Sequence, residues 1–80
     1  MTVREWIDEK FDEVIVADGF DDALIGVAHH DTAVYDADMC IVIIMRDSLM
    51  SEQEAIEYFE YNVTGACIEG GPLFVFRPSA

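Results

Sequence analysis

The sequence predicts an α+β fold: a small antiparallel sheet of about three strands, with two or three helices packed on one face. Three observations carry that expectation. Two helix starts are written as capping boxes, Thr2-Val3-Arg4-Glu5 and Ser51-Glu52-Gln53-Glu54. Two short apolar runs flank His29-His30-Asp31, the pattern of a β-hairpin. A last apolar run, Leu73-Phe74-Val75-Phe76, follows the turn signal Gly70-Gly71-Pro72. Together they fit one acidic domain over residues 1–80.

The elements follow in order. Thr2 is the expected N-cap of the first helix, and Val3, Ile7, Phe11 and Val14 recur at helical spacing with Trp6 beside them. Glu5, Asp8, Glu9 and Asp12 recur on the opposite face, and the helix is expected to run until shortly before Asp18-Gly19. Ala23 to Ala28 is short, apolar and contains a glycine, which favours a strand, and Thr32 to Tyr35 is its return strand. Asp36 or Asp38 caps a second helix running to Asp47. A buried strand from Cys40 to Met45 competes with that helix, and periodicity alone does not separate the two. In the third helix Ala55, Ile56, Phe59, Val63 and Ala66 share one face, with Tyr58 and Asn62 at its edge. Gln53, Glu54, Glu57, Glu60 and Tyr61 form the other face, and Gly65 is a natural stop.

Composition narrows the function. The 80 residues include 17 Asp and Glu against 4 Lys and Arg, a net charge of −13. Direct nucleic-acid binding needs a basic footprint, and Arg4, Lys10, Arg46 and Arg77 are scattered. Anionic membranes would repel the chain. With 52% hydrophobic residues it is too apolar to be a disordered acidic tail. The N-terminus lacks an apolar core of signal-peptide length, and the longest apolar stretch, Cys40 to Met45, is too short to span a bilayer. Cys40 and Cys67 read as reduced, buried thiols. A cytoplasmic protein is expected.

No catalytic machinery is visible, so the chain is read as a non-enzyme without a cofactor. His29-His30-Asp31 lacks further ligands at a standard metal spacing. Nothing in the local sequence supports a Cys40/His30 nucleophile pair. Asp18 to Asp22 lacks the glycine and terminal glutamate of a calcium loop, and Gly70-Gly71-Pro72 is too short to cradle a phosphate.

The acidic faces are the chief signal. Like charges three and four residues apart on a helix repel by about 0.2–0.5 kcal/mol per pair. A solvated, solubilising surface accounts for one such cluster. It does not account for −13, because a net charge of about 2–8 in magnitude already serves the solubility of a small domain. Carboxylates on neighbouring helical turns lie ~5–6 Å apart, a spacing that lets an acidic ridge offer the Arg and Lys of a nucleic-acid groove carboxylates instead of phosphates. The expected partner-binding residues are Glu5, Asp8, Glu9 and Asp12 on the first helix, and Glu54, Glu57, Glu60 and Tyr61 on the third. Tyr58 and Trp6 are further aromatic anchors beside these faces.

The order Asp18-Gly19-Phe20-Asp21-Asp22-Ala23, Val34-Tyr35-Asp36, Cys40-Ile41, Met50-Ser51, Glu54-Ala55 and Glu57-Tyr58-Phe59-Glu60-Tyr61-Asn62-Val63 with Gly65-Ala66 resembles a small family of acidic bacteriophage proteins. The resemblance spans residues 13–76 and is most specific from Glu57 to Ala66. Members usually follow Gly-Ala with an aromatic residue, where this chain has Cys67. The resemblance implies a phage or mobile-element origin and brings no catalytic residues with it. By size and charge the chain is also similar to anti-CRISPR proteins, which inhibit host defence. The expected function is therefore a phage-type inhibitor, acting in the host bacterial cytoplasm as a monomer or homodimer. Its expected partner is a host nucleic-acid-binding complex with a basic groove, such as a multisubunit CRISPR effector. The competing expectation is a phage accessory or assembly module that binds through an apolar surface and is acidic only for solubility.

Overall fold

The computed structural model describes residues 1–64 and 71–78. It is an α+β fold in which a three-stranded sheet packs against helices. The elements are α1 (Val3–Lys10), a 3₁₀ turn (Asp21–Ala23), β1 (Leu24–Ala28), β2 (Thr32–Asp36), α2 (Ala37–Ser48), α3 (Glu52–Tyr58), a π-helical turn (Phe59–Thr64) and β3 (Leu73–Val75). The strand order is β1-β2-β3.

Both capping boxes form. Thr2 Oγ1 accepts from the Glu5 N–H at 3.1 Å while Glu5 Oε1 accepts from the Thr2 N–H at 3.1 Å. Ser51 and Glu54 repeat the arrangement at the start of α3, at 3.2 and 3.1 Å. Each box satisfies two backbone donors that the first helical turn would otherwise leave without partners.

The first helix is shorter than its periodicity predicts. It ends at Lys10, and Phe11 is extended at φ −130°, ψ 138°. Asp12 and Val14 therefore lie beyond the helix. Three effects oppose its continuation. Negative charge on Asp12 and Glu13 is unfavourable at a helix C-terminus. The β-branched run Val14-Ile15-Val16 lowers helix propensity. The extended Phe11 also meets Trp6 edge-on at 5.4 Å. Residues 12–20 instead cross the molecule as a connection in which Val14, Ala17 and Phe20 pack on the core. The turn at Asp18-Gly19 forms as expected, with Gly19 at φ 90°, a conformation that favours glycine.

β1 and β2 form the expected antiparallel hairpin, paired as Leu24–Tyr35, Gly26–Val34, Val27–Ala33 and Ala28–Thr32. A register shift between Leu24 and Gly26 makes Ile25 a bulge, so Leu24 and Val27 share the face of Tyr35 and Ala33. Along β2, Ala33 and Tyr35 are buried while Thr32, Val34 and Asp36 are partly exposed. The core joins Ala33 and Tyr35 to Ile7 of α1, to Ala37, Cys40, Ile43 and Ile44 of α2, and to Ala55 and Phe59. The helices thus cover the face that carries Ala33 and Tyr35.

α2 resolves the ambiguity over Cys40 to Met45 in favour of a helix. Asp36 is its cap and accepts from the Met39 N–H at 3.2 Å. Ala37, Cys40, Ile43 and Ile44 are buried at helical spacing, whereas Val42 is 49% exposed. The third helix is not α-helical throughout. At Phe59 it widens into a π turn, where the Phe59 N–H is shared between the Ala55 and Ile56 carbonyls. Phe59 is thereby buried, meeting Phe74 of β3 edge-on at 5.3 Å. The expected Ala66 position and the Gly65 stop lie outside the described residues.

β3 pairs with β2 in parallel, through Val34–Leu73, Tyr35–Phe74 and Asp36–Val75. The sheet is therefore mixed rather than wholly antiparallel. Two helices separate β2 from β3, and such a crossover can return the chain in its original direction. Arg77, just past β3, anchors this strand by donating to Asp36 Oδ2 at 2.6 and 3.2 Å.

Two stability predictions follow from these contacts. Leu49 caps α2 in the left-handed region, at φ 54° and ψ 34°, with its side chain 91% exposed. Leu49→Gly should raise stability by about 0.5–1 kcal/mol, because relief of 1–2 kcal/mol of steric cost exceeds the entropy of the added glycine. Urea unfolding at unchanged m-value checks this, and a lower midpoint would refute it. The hydrogen bonds from Arg77 and then from the Met39 N–H hold the Asp36 carboxyl below its ordinary value of 3.8. A depressed folded value gives stability that is complete above the unfolded value and is lost as pH falls through the folded one. Asp36→Asn keeps a capping oxygen, so wild type should be the more stable at neutral pH. That gap should close below about pH 4, and a constant gap down to about pH 2 would exclude the ionised carboxylate as its source.

Candidate functional site

All eight residues expected to bind a partner are exposed. The structure does not gather them into one ridge. α1 packs beside β1, while the segment after α3 reaches β3 through Phe59 and Phe74. The two acidic faces thus sit toward opposite edges of the sheet.

The α1 set is partly used by the fold itself. Glu5 is committed to the capping box, and Asp8 pairs with Arg4 Nε at 3.5 Å. Glu9 is exposed on the helix, and Asp12 belongs to the connection after it. The third-helix set is more coherent. Glu54 closes its capping box, and hydrogen bonds from the Ser51 backbone and side chain hold its carboxyl below the usual range. Glu57 accepts from Gln53 Nε2 at 3.2 Å, one turn away. Glu60 and Tyr61 stand on the π turn, with Tyr61 83% exposed. Glu52 adds a further exposed carboxylate that the sequence reading left out.

The arginines decide where the negative charge remains. Arg4 bridges Asp8 and Asp21, the latter at 3.1 Å. Arg46 bridges Asp22 at 3.6 Å and Asp47 at 2.9 Å, and Arg77 holds Asp36. These pairs offset carboxylates around α1, the 3₁₀ turn and α2. No Lys or Arg occurs between Arg46 and Arg77, so α3 and its π turn carry no cation of their own.

A second surface feature was not singled out from the sequence. An open groove of about 500 Å³ runs between the first turn of α1 and β1, lined by Met1, Thr2, Val3, Trp6, Ile25, Gly26 and Val27. Trp6 is 36% exposed and Ile25 39%. The one sequence signal for it is Gly26, a glycine inside an apolar strand.

Cys40 is buried, and desolvation pushes its thiol up to about 12, so it carries no thiolate at neutral pH. His29 and His30 sit at the hairpin tip with rings 4.2 Å apart. Among the described residues, no group of three or more His, Cys, Asp or Glu could hold a metal ion. Cys67 lies outside the described residues. No described helix is long and apolar enough to cross a membrane.

The chain matches no protein-family model, no curated protein and no solved structure.

Burial of Cys40 makes a direct prediction. In the native protein at about pH 8, iodoacetamide should leave Cys40 unmodified, whereas unfolding in denaturant should expose it fully. Peptide mapping by mass spectrometry reads the outcome at that residue. Rapid native alkylation of Cys40 would contradict the burial.

Proposed function

We propose that the protein is a phage-type inhibitor, anti-CRISPR-like in mode, that docks on the basic nucleic-acid-binding surface of a host complex and excludes the nucleic acid. The observation that carries this reading is the acidic surface of α3 and its π turn. Glu52, Glu54, Glu57 and Glu60 are exposed there with Tyr61, in a stretch without a Lys or Arg. Elsewhere the arginines are turned onto the protein's own aspartates.

The physics of such an inhibitor is simple. Carboxylates on successive turns meet the partner's Arg and Lys as phosphates would, through charge-assisted hydrogen bonds. A net charge of −13 attracts a basic groove over a long range and speeds the encounter. Tyr61 supplies a rigid aromatic contact beside the charges, a residue type enriched at interface hot spots. The α1 carboxylates add to the attractive field, and their place at the far side of the sheet makes them secondary to α3. The resemblance to acidic phage proteins supports action in the host bacterial cytoplasm, with a multisubunit CRISPR effector as the proposed target.

One observation favours the second reading, an accessory module that binds through an apolar surface. Leu73 is 50% exposed and Phe76 67% exposed at the β3 edge.

Affinity capture from bacterial lysate separates the two. Under the mimicry reading, nucleic-acid-binding subunits are retained at about 50 mM salt and released by about 200 mM. Glu57→Lys/Glu60→Lys should abolish capture and inhibition while leaving far-UV circular dichroism unchanged. Retained inhibition in that folded variant excludes α3 as the docking face. Capture of a virion component that resists salt establishes the accessory reading instead.

A further inference from the structure

We propose that the exposed ridge of α2 is a self-association site, which pairs two copies of the chain antiparallel across a two-fold axis. The inference starts from the order of residues in α2. The segment Asp38-Met39-Cys40-Ile41-Val42-Ile43-Ile44-Met45-Arg46 is close to a palindrome centred on Val42. Ile41 and Ile43 flank Val42, and Met39 and Met45 stand three residues to either side. Four residues to either side the charges are opposite, Asp38 before and Arg46 after. Packing within the chain accounts for Cys40, Ile43 and Ile44, which are buried. It does not account for Val42, an apolar residue left 49% exposed between exposed Asp38 and exposed Arg46.

The charge order specifies the occupant. Residues four apart on a helix share a face, so Asp38, Val42 and Arg46 form one row. Interdigitation of such rows is the commonest class of helix packing. A two-fold contact is self-complementary: where residue i meets residue j of the second copy, j meets i. With Val42 at the axis, antiparallel α2 helices set Asp38 of each copy against Arg46 of the other, so the ion pair forms twice, and each Met39 faces the other copy's Met45. A parallel pair would instead oppose Asp38 to Asp38 and Arg46 to Arg46. Among the described residues no cation pairs with Asp38. Arg46 uses Nε on Asp47 at 2.9 Å and Nη1 on Asp22 at 3.6 Å, and a guanidinium has five donors to share. The net charge narrows the choice of surface further. Two copies at −13 each repel, and the exposed carboxylates of α1 and α3 would sharpen that repulsion. The α2 row balances one acid with one base around an apolar centre, so two copies can approach there. One helix face is a small contact, which makes the association weak and concentration-dependent.

Sedimentation equilibrium of the full chain from about 10 μM to about 1 mM tests this, at about 150 mM salt, where the Debye length has fallen to about 8 Å. The average mass should climb from monomer toward dimer, with concentration-dependent amide shifts at Asp38, Val42 and Arg46. Val42→Glu should abolish the association. Asp38→Arg and Arg46→Glu should each weaken it about tenfold, and the two together should restore it. Asp38→Arg lowers the net negative charge, so relief of general repulsion alone would strengthen association in that variant. The amide spectrum of each variant reports its fold. A monomer throughout the range, association undiminished in folded Val42→Glu, or singly weakened variants that the double exchange does not restore would overturn the proposal. Concentration-dependent shifts confined to α3 or to the β3 edge would do the same. Glu57→Lys/Glu60→Lys should still associate, so failure at α2 is distinguishable from failure of the α3 surface.

Discussion

The structure depends on the burial of one side chain, Tyr35. It lies on the central strand with no exposed surface. Its hydroxyl accepts from the Ala17 N–H at 2.8 Å, which ties the long connection after α1 to the sheet. Its ring stacks on Phe74 at 5.5 Å, and Phe74 in turn receives Phe59 edge-on. One residue thus joins the N-terminal connection, the C-terminal strand and the end of the third helix. Its hydroxyl satisfies a partly buried backbone donor, whose loss without a replacement costs about 1–3 kcal/mol. Asp36 follows immediately and continues the role on the other side of the strand. It caps α2 and holds Arg77, so β2 passes directly into the crossover that brings β3 back beside it.

A domain this acidic must also contain its own repulsion. The arginines stand where aspartates crowd. The 3₁₀ turn places Asp21 and Asp22 side by side, and Arg4 of α1 and Arg46 of α2 reach them from separate elements. Each pair is exposed and contributes little by itself to stability. Their value lies in distribution, because they link three elements while offsetting local charge. The pairing is uneven along the chain: arginines meet aspartates of α1, the 3₁₀ turn and α2, whereas residues 47–76, which include α3, contain no Lys or Arg. Capping makes that affordable locally, since the Glu54 carboxylate interacts favourably with the helix N-terminus that it helps to close.

Much of this is written in short-range sequence. The capping boxes at Thr2 and Ser51, the Asp36 cap, the turns at Asp18-Gly19 and His29-His30-Asp31, and the β1–β2 hairpin all form where the residues indicate. Each is settled by hydrogen bonds or dihedral preferences within a few residues. The acidic residues of the candidate surface were equally legible, because repeated charge at helical spacing has little place to go but solvent. The groove at Gly26 was not legible. Its walls come from residues about twenty positions apart in the sequence.

The sequence by itself determined the α+β class, the helix starts, the hairpin and the exposed acidity. Tertiary structure decided how the chain after α1 runs, since Val14, Ala17 and Phe20 pack on the core and the Ala17 N–H meets Tyr35. It also decided the π turn that seats Phe59 on Phe74 and the parallel pairing of β3. The separation of the two acidic faces across the sheet belongs to the same class. The physical reason is common to all of them. Caps and turns satisfy groups within one helical turn, whereas the path of the connection after α1, strand direction and the placing of faces are set by which distant side chains share the space around Tyr35.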